Sequence, residues 1–294
     1  MSYLIGLDMG GTEIKAAAAH ANEAPLNKPL SFPSYSHKPK DEIIQHIGDI
    51  IQQLTKDTPP LAIGFSFPGP FDYSIGISLI KGLAKYESLY GYNIDTLIKS
   101  NSGILKKLPF IKNIPMFFVN DVTAFALGVS LDNKYEKALC VCIGTGCGSA
   151  FLEDGKVVTN GRGIPENGWI YNLPFEDSCL DDYLSKRGLE KITTSIMGKP
   201  FDGKTLAFSL GDKKAAACFA QFGQNLAEGL LPILDEFNPS AVVLGGQIMN
   251  SFGQFNQPLK QICNQKGIDL LVYPNTSQLA IAGLWAEAKR REIF

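Results

Sequence analysis

The chain has 294 residues, of which 45% are hydrophobic and 19% are charged, and its formal net charge at pH 7 is −2. This globular composition suffices for one large domain or two ordinary ones, and it gives no electrostatic basis for binding nucleic acid or an anionic membrane. No transmembrane stretch or signal peptide is expected, and the six loosely spaced cysteines indicate reduced thiols in a cytoplasmic protein.

The first predicted element is a short buried strand, residues 3–7, followed by Asp8 and a glycine turn. Gly10 and Gly11 allow the backbone to bring its N–H groups close to a phosphate, and Thr12 adds a hydroxyl donor. A carboxylate at Asp8 is placed to hold Mg²⁺, directly or through water. A tight turn with capping side chains explains the same residues equally well. A Walker motif is excluded, because no Gly-Lys-Ser/Thr follows.

Residues 13–115 contain one clear helix and one clear strand. Residues 13–20 fit a helix by their alanine content or a second hairpin strand by their place after the turn. The remaining predictions are loop and edge at 21–40, a helix at 41–54, a strand at 61–67, a rigid Pro-Gly-Pro turn at 68–72 and an irregular substrate-side segment at 73–115. Most of the tyrosines in that last segment are expected to be solvated.

A strand at 116–119 ends in Asn120 and Asp121, and a helix begins at 122. A carboxylate at a strand end and at the mouth of a helix is well placed to act as a general base on a substrate hydroxyl. Taken alone, Asp121 fits an N-cap residue better, because aspartate is a common helix cap.

A second glycine turn lies in the hairpin that runs from residue 139 to residue 156. Gly144 and Gly146 flank Thr145, which predicts a second phosphate-binding turn. Later predictions are a glycine-rich loop at 160–168, a helix at 179–189, one or two helices at 205–236, strands at 241–244 and 270–273, and a closing helix at 280–291. Gly245 and Gly246 after the strand at 241–244 would let the backbone approach a flat ligand such as adenine.

In this order the motifs resemble those of the ROK family of sugar kinases, in the actin-like ATPase superfamily. The resemblance spans essentially the whole chain. It rests on Asp8-Met9-Gly10-Gly11-Thr12, Gly64-Phe65-Ser66-Phe67-Pro68-Gly69-Pro70, Asn120-Asp121-Val122-Thr123-Ala124, Gly144-Thr145-Gly146-Cys147-Gly148 and Val243-Leu244-Gly245-Gly246.

The resemblance implies an α/β protein with the two-lobed actin-like ATPase (ribonuclease H-like) fold, in which each lobe is a mixed sheet flanked by helices and ATP and sugar bind between the lobes. The N-terminal lobe would comprise residues 1–115 together with the C-terminal helix at 280–294, and the C-terminal lobe residues 116–279. Residues 13–20 would then form a strand despite their alanines.

The resemblance also implies the roles of individual residues. Asp121 would be the base that takes the proton of a sugar hydroxyl, usually the 6-hydroxyl. Asp8 would help to hold Mg²⁺. The phosphates and nucleoside of ATP would contact Gly10, Gly11, Thr12, Gly144, Thr145, Gly146, Gly245 and Gly246. The sugar would contact Gly69, Asn120, Glu166, Trp169 and Asp181.

The chain departs from the family at its metal motif, where many members bind structural zinc. The family's Glu-x-Gly-His sequence is Glu166-Asn167-Gly168-Trp169 here, and of the cysteine cluster only Cys179 remains. One thiol cannot form a four-ligand site, so no zinc is predicted. Trp169 either stacks on the sugar or fills the space that the metal loop left. Asp181 stands at the position of a sugar-binding glutamate, one carbon shorter.

The predicted function is therefore ATP-dependent phosphorylation of a hexose, most simply glucose, by a cytoplasmic homodimer with Mg·ATP as cofactor. N-acetylmannosamine, another N-acetylhexosamine, or polyphosphate in place of ATP are the enzymatic alternatives. A sugar-responsive repressor is disfavoured, because the phosphate turn begins at residue 8 and leaves no room for a preceding winged helix. A sugar-sensing protein without catalysis is the other non-enzymatic alternative, and Asp8 and Asp121 argue against it.

Overall fold

The computed structural model describes residues 2–23, 28–131, 135–209 and 211–294. The elements before residue 132 are β1 (Tyr3–Met9), β2 (Glu13–His20), β3 (Leu30–Pro33), α1 (Lys40–Leu54), β4 (Ala62–Phe67), β5 (Phe71–Asp72), β6 (Ile77–Ser78), α2 (Ile94–Ser100), α3 (Ser102–Lys107), β7 (Met116–Asn120) and α4 (Asp121–Leu131). Those after it are β8 (Lys137–Ile143), β9 (Cys147–Glu153), β10 (Lys156–Val158), β11 (Pro174–Phe175), β12 (Ser178–Cys179), α5 (Leu180–Tyr183), α6 (Lys186–Met197), α7 (Gly203–Ala207), α8 (Lys213–Phe237), β13 (Ala241–Gly245), α9 (Gln257–Lys266), β14 (Asp269–Tyr273) and α10 (Ser277–Arg290). Short 3-10 helices lie at Glu87–Leu89, Pro109–Asn113, Glu166–Gly168 and Gln247–Gln254.

The chain divides into two compact units. Unit 1 comprises Met1–Asp132 and Ser277–Phe294, and unit 2 comprises Asn133–Thr276. The predicted lobe boundary lay earlier, at 115/116. The structure places β7 and α4 in unit 1, because β7 pairs in parallel with β4 and α4 packs along α10.

The two units contain sheets of the same topology. In unit 1 the five strands lie in the order β3-β2-β1-β4-β7, and in unit 2 in the order β10-β9-β8-β13-β14. In each sheet the first three strands of the unit form antiparallel pairs, and the last two join in parallel. The predicted α/β class, a mixed sheet flanked by helices in each half, is confirmed.

Strand β1 explains how unit 1 is layered. Successive side chains of a strand point to opposite faces. Tyr3, Ile5 and Leu7 belong to the core cluster that contains the isoleucines of α1, whereas Leu4 belongs to the cluster that contains Trp285 of α10. Both faces of this central strand are therefore covered by helices, and its run of apolar residues follows from that.

Residues 13–20 form a strand, as the family resemblance implied. Strand β2 pairs with β1 along its whole length, from Met9 with Ile14 to Tyr3 with His20. The ladder hydrogen bonds and the burial of alternate alanines outweigh the modest helix preference of alanine.

Two predictions about local structure were wrong. The segment 73–115 is not irregular, since it holds α2 and α3, whose first turns are capped by the side chains of Asn93 and Asn101. The helix predicted at 179–189 is two helices, because Ser185 is extended and caps α6. Helix α9 had no predicted counterpart.

No helix in the described parts of the chain is both long enough and apolar enough to span a membrane.

Candidate active site

The two carboxylates predicted from the sequence lie at the same edge of the unit 1 sheet. Asp8 stands near the carboxyl end of β1, and Asp121 follows β7 directly. Because β1, β4 and β7 run in parallel, the ends of these strands meet. Ser66 of β4, the register partner of Asp8, donates a hydrogen bond from its hydroxyl to Asp8 Oδ1 over 2.7 Å.

The glycine turn after β1 is held through its carbonyl oxygens. Tyr86 Oη donates to the Gly10 carbonyl at 2.8 Å. Ser34 Oγ and Ser36 Oγ both donate to the Gly11 carbonyl, at 2.7 and 2.6 Å. The backbone N–H of Ser34 donates to the Thr12 carbonyl at 3.0 Å.

These bonds determine where the N–H groups of the turn point. In a trans peptide the C=O and the following N–H point in opposite directions. Since the carbonyls of Gly10 and Gly11 face Tyr86 and the two serines, the N–H groups of Gly11 and Thr12 face away from them. The turn thus presents backbone donors on one side, as an anion site requires.

Gly10 is required sterically. A Cβ at this position would lie 2.5 Å from the Glu13 carbonyl oxygen, a distance that real contacts do not reach. The turn between β1 and β2 is therefore closed only with glycine at residue 10.

Asn120 and Asp121 form a connected polar pair. Asn120 Oδ1 accepts hydrogen bonds from the N–H groups of Val122 and Thr123, at 3.0 and 3.1 Å, so Asn120 supplies the main cap of α4. Its amide nitrogen donates to Tyr73 Oη and to Asp121 Oδ1, both at 3.0 Å. Asp121 Oδ1 also accepts from Val122 N at 2.9 Å. The carboxyl group of Asp121 is thereby held in one orientation.

Both carboxyl groups are shifted toward the protonated form. Burial raises the pKa of Asp121 above its ordinary value; the charge of Lys85 opposes this rise, and the carboxylate of Asp8 adds to it. Burial also raises the pKa of Asp8, against hydrogen bonds from Ser66 and Ser277. A buried carboxyl group that favours its proton is a stronger base when ionised, which suits proton abstraction.

Gly69 lies beside the same polar pair. A Cβ on Gly69 would lie 3.3 Å from Tyr73 Oη, the hydroxyl that binds Asn120. Unit 1 therefore brings together Asp8, the Gly10–Thr12 turn, Gly69, Asn120 and Asp121.

The donors at Asp8 suit Mg²⁺. One carboxylate beside backbone N–H groups that suit a phosphate is a donor set that would hold Mg²⁺ when a phosphate chain is bound. Among the described residues, no group of three or more His, Cys, Asp or Glu side chains is placed to hold a metal ion.

Unit 2 brings the second glycine turn next to the second glycine pair. The turn at 144–146 joins β8 to β9, and within it the Gly144 N–H donates to the Gly146 carbonyl at 2.9 Å. Gly245, at the end of β13, pairs with Cys142, which lies one residue before the end of β8. Gly246 has φ +99°, and a Cβ there would lie 2.3 Å from the Ile143 carbonyl oxygen. The predicted nucleotide contacts of unit 2 thus lie together.

Asp181 supports the unit 2 turn. Its Oδ1 accepts the Cys147 N–H at 2.6 Å, and its Oδ2 pairs with the Arg187 guanidinium. A Cβ on Gly146 would lie 2.9 Å from Asp181 Oδ1. Both carboxylate oxygens of this predicted sugar ligand are therefore engaged by protein groups.

Glu166 and Trp169 lie at either end of one exposed turn. Glu166 begins the 3-10 helix and is exposed. Trp169 is 46% exposed, and its ring centroid lies 6.0 Å from that of Tyr171. An indole exposed to this extent is accessible to a ligand.

Several residues around the unit 1 turn were missed by sequence reasoning. Ser34 and Ser36 belong to no motif, and Ser66, although it lies within the Gly64–Pro70 motif, was assigned no role; all three are far from the turn in sequence. Tyr86 was grouped with solvated loop tyrosines; Tyr90 and Tyr92 are exposed, but Tyr86 is fully buried. Its neighbours in the chain gave no sign of this difference.

The family model described as "ROK family" matches residues 4–276. An N-acetyl-D-glucosamine kinase from Mannheimia succiniciproducens is 26% identical over 277 residues, with 84% of each chain covered. A xylose repressor from Caldicellulosiruptor bescii is 19% identical over 299 residues, covering 90% of this chain and 70% of the repressor.

Two solved structures share the fold. A ROK hexokinase from Thermus thermophilus has a TM-score of 0.75 at 20% identity, with 99% of both chains covered. A ROK family glucokinase from Streptomyces griseus, in complex with glucose and AMPPNP, has a TM-score of 0.73 at 16% identity, covering 98% of this chain and all (100%) of the glucokinase.

Proposed function

The chain belongs to the ROK family, and on that premise we propose that it phosphorylates a hexose with ATP, with Asp121 as the general base. The observation that supports this most directly is the orientation of the Asp121 carboxyl group by the Asn120 amide and the Val122 N–H. Such a group takes a proton from a hydroxyl as that oxygen attacks the terminal phosphorus.

In this mechanism the residues of unit 1 have separate tasks. Asp121 removes the proton of the acceptor hydroxyl. Asn120 and Tyr73 keep Asp121 oriented, and the N–H groups of Gly11 and Thr12 bind phosphate oxygens. Bound Mg²⁺, held near Asp8, would neutralise phosphate charge. In unit 2, Gly144–Gly146 and Gly245–Gly246 are the proposed nucleotide contacts, while Glu166 and Trp169 are proposed sugar contacts.

Glucose, phosphorylated at its 6-hydroxyl, is the acceptor that we propose first. An N-acetylhexosamine is the second candidate, supported by the curated relative named N-acetyl-D-glucosamine kinase. N-acetylmannosamine belongs to the same class. A panel of these sugars with Mg·ATP, read as ADP release, ranks them by kcat/KM, and polyphosphate in place of ATP tests the donor.

The variant Asp121→Ala tests the base. We expect it to lose about 10²–10⁴-fold in kcat, the usual contribution of a positioned base, and to bind Mg·AMPPNP as the parent chain does. Asp41→Ala is the matched control, because Asp41 also lies in the first turn of a helix but its side chain is 89% exposed. Turnover by Asp121→Ala close to that of the control would refute the assignment.

The non-enzymatic candidate is a sugar sensor, and the similarity to a repressor supports it. A sensor would bind a sugar of the panel without transferring phosphate from any donor. Calorimetry with the same sugars, run beside the kinetic assay, separates the two candidates. Binding without turnover would favour the sensor.

We further propose that the protein acts as a cytoplasmic homodimer. The subunit number is measured by light scattering of the purified chain with and without Mg·ATP. A monomeric mass at all concentrations would contradict this part of the proposal.

A further inference from the structure

The side chain of Lys85 lies directly on the Gly10–Thr12 turn of unit 1. A Cβ built on Gly11 would lie 3.3 Å from Lys85 Cδ, so the aliphatic part of the lysine covers the glycine. The next residue, Tyr86, is bonded to the turn through its hydroxyl, which donates to the Gly10 carbonyl at 2.8 Å. Its backbone N–H donates to the carbonyl of Ser36, whose side chain binds Gly11. The segment carrying Lys85 is therefore fastened to the turn.

The backbone on both sides of Lys85 is in an unfavourable conformation. Ala84 has φ +51° and Tyr86 has φ +54°, both in the left-handed region that residues other than glycine rarely adopt. Such conformations persist where surrounding contacts impose them, and they cluster at functional sites. Here they direct the side chain of Lys85 toward the turn and that of Tyr86 into the core.

The ammonium group of Lys85 is available to a ligand. In the described part of the chain it has no hydrogen bond and no carboxylate within ion-pair distance, although the side chain is half-buried. Lys81, in the same loop, instead places its ammonium 5.6 Å from the centre of the Tyr90 ring. The charge of Lys85 does reach the active site, since it lowers the pKa of Asp121 against the effect of burial.

A ligand that suits this ammonium is anionic. The side chain of Lys85 packs on Gly11 of the turn, and its charge acts on Asp121. In the reaction proposed above, the phosphoryl group in transfer lies between the backbone N–H groups that bind phosphate and the base, Asp121. We propose that Lys85 binds the terminal phosphate of the donor and neutralises the charge that develops on it.

This inference rests on the proposed kinase function. The attack itself transfers the phosphoryl group from the leaving diphosphate oxygen to the sugar oxygen, and the hydroxyl proton passes to Asp121. Lys85 keeps its own proton throughout and supplies charge alone, as lysine does at other phosphate sites.

The test compares Lys85→Met, which keeps the length of the side chain, with Lys85→Arg, which keeps the charge. Calorimetry measures the binding of Mg·AMPPNP and Mg·ADP to the full chain. We expect Lys85→Met to weaken Mg·AMPPNP binding about 10-fold or more, as for loss of a charged hydrogen bond, and to leave Mg·ADP binding unchanged. Lys85→Arg should recover most of the loss. Lys81→Met is the control and should match the parent chain.

Kinetics give a second, independent readout. Lys85→Met should lower kcat about 10–100-fold with little change in the KM of the sugar. The acid limb of its pH–rate profile should move to higher pH, because the charge that lowers the pKa of Asp121 is gone. In the described part of the chain, the other titratable groups that interact with Asp121 are Asp8 and Tyr73.

Two results would overturn the proposal. Equal effects on Mg·AMPPNP and Mg·ADP would mean that Lys85 does not contact the terminal phosphate. A rise in the KM of the sugar alone would assign Lys85 to the acceptor. If the parent chain phosphorylates no sugar of the panel, the proposed function fails, but the calorimetric comparison still decides whether Lys85 binds the terminal phosphate.

Discussion

At the scale of single residues, the burial of Asp121 lowers the stability of the fold as well as suiting the residue to its proposed role as a base. Its pKa is raised by burial, with Lys85 opposing and Asp8 adding to the rise, so its ionised form is less stable in the folded protein than in the unfolded chain. A group of this kind weakens the fold at pH values above its folded pKa. This loss of stability shrinks as the pH falls from the pKa of Asp121 in the folded protein to its pKa in the unfolded chain. Below the latter pKa, Asp121 is protonated in both states and the loss is gone.

We therefore predict that Asp121→Asn is more stable than the parent chain at neutral pH and that, like Asp121→Ala, it turns over the sugar more slowly. The amide oxygen can still accept from Val122 N and Asn120, and the buried charge is gone. The gain in Tm should shrink as the pH is lowered and vanish below the ordinary pKa of aspartate, about 3.9. Asp41→Asn, on an exposed position, should show no such trend, and an equal Tm for Asp121→Asn at every pH would contradict the argument.

Asp181 can be tested at the same scale. Its contact with Cys147 N–H predicts a structural role in the turn of unit 2. Asp181→Asn keeps an oxygen acceptor and should bind Mg·ADP almost normally, whereas Asp181→Ala should weaken that binding about 5–30-fold, as loss of a hydrogen bond to a charged group would.

The family resemblance assigns Asp181 to the sugar instead. Under that assignment both variants would raise the KM of the sugar and leave the binding of Mg·ADP unchanged. The two measurements together therefore decide between the roles.

At the scale of elements, α4 and α10 cross at unusually short distance because glycines face the partner backbone. A Cβ on Gly128 would lie 1.9 Å from the Leu279 carbonyl oxygen, and one on Gly283 would lie 1.8 Å from that of Ala124. No movement of a flexible side chain can relieve either contact. The helices would have to separate.

Gly283→Ala should accordingly destabilise unit 1 by about 1–3 kcal/mol or more, the usual range for overpacking, despite the better helix propensity of alanine. Gly253→Ala is the control, because a Cβ at Gly253 would meet no atom within 4 Å. Urea unfolding of both variants measures the difference. A stability of Gly283→Ala equal to that of the control would show that the crossing adapts easily.

The elements that sequence reasoning identified are those with a continuous apolar run or, as in α1, with apolar residues at helical spacing. Strands β4, β7, β8 and β13, and helix α1, were located to within a few residues of their ends. Helices α2 and α3 were not, because they have only seven and six residues and their start signals are single asparagines. Their capping bonds, from Thr96 N to Asn93 and from Ile104 N to Asn101, are clear only once the fold is known.

The candidate site shows the same limit. Both glycine turns and Asp121 stand out in the sequence, because each follows a buried strand. The groups that orient them come from far along the chain: Ser34, Ser36 and Tyr86 hold a turn at residues 10–12, and Ser66 holds Asp8. Such pairings depend on topology, and a single sequence does not encode them in any local pattern.

At the scale of the molecule, each unit has its own hydrophobic core. The cluster of unit 2 draws on residues between Leu139 and Val272, while the two clusters of unit 1 draw on residues up to Phe118 or Leu127 and on α10 with the segment that follows it. The two tryptophans are divided in the same way: Trp285 is buried in unit 1, and Trp169 is exposed in unit 2.

This division predicts two unfolding transitions. In Trp169→Phe, the emission of Trp285 should follow unit 1 alone, and far-UV circular dichroism should follow both units. We expect the two urea curves to differ in midpoint, since separate cores lose their structure separately. The indole N–H of Trp285 donates to the His20 carbonyl at 2.9 Å, so the surroundings of this indole change only when unit 1 unfolds. Coincident curves would mean that the units unfold together.

The return of the chain to unit 1 has a consequence for biosynthesis. Helix α10 covers one face of the first sheet, but it leaves the ribosome only after all of unit 2 has been made. In the nascent N-terminal segment, β1 and α4 therefore remain without their packing against α10 until synthesis is complete. Unit 2 can meanwhile collapse on its own core. Chaperone contact during translation should concentrate on this N-terminal segment and end when α10 packs against it.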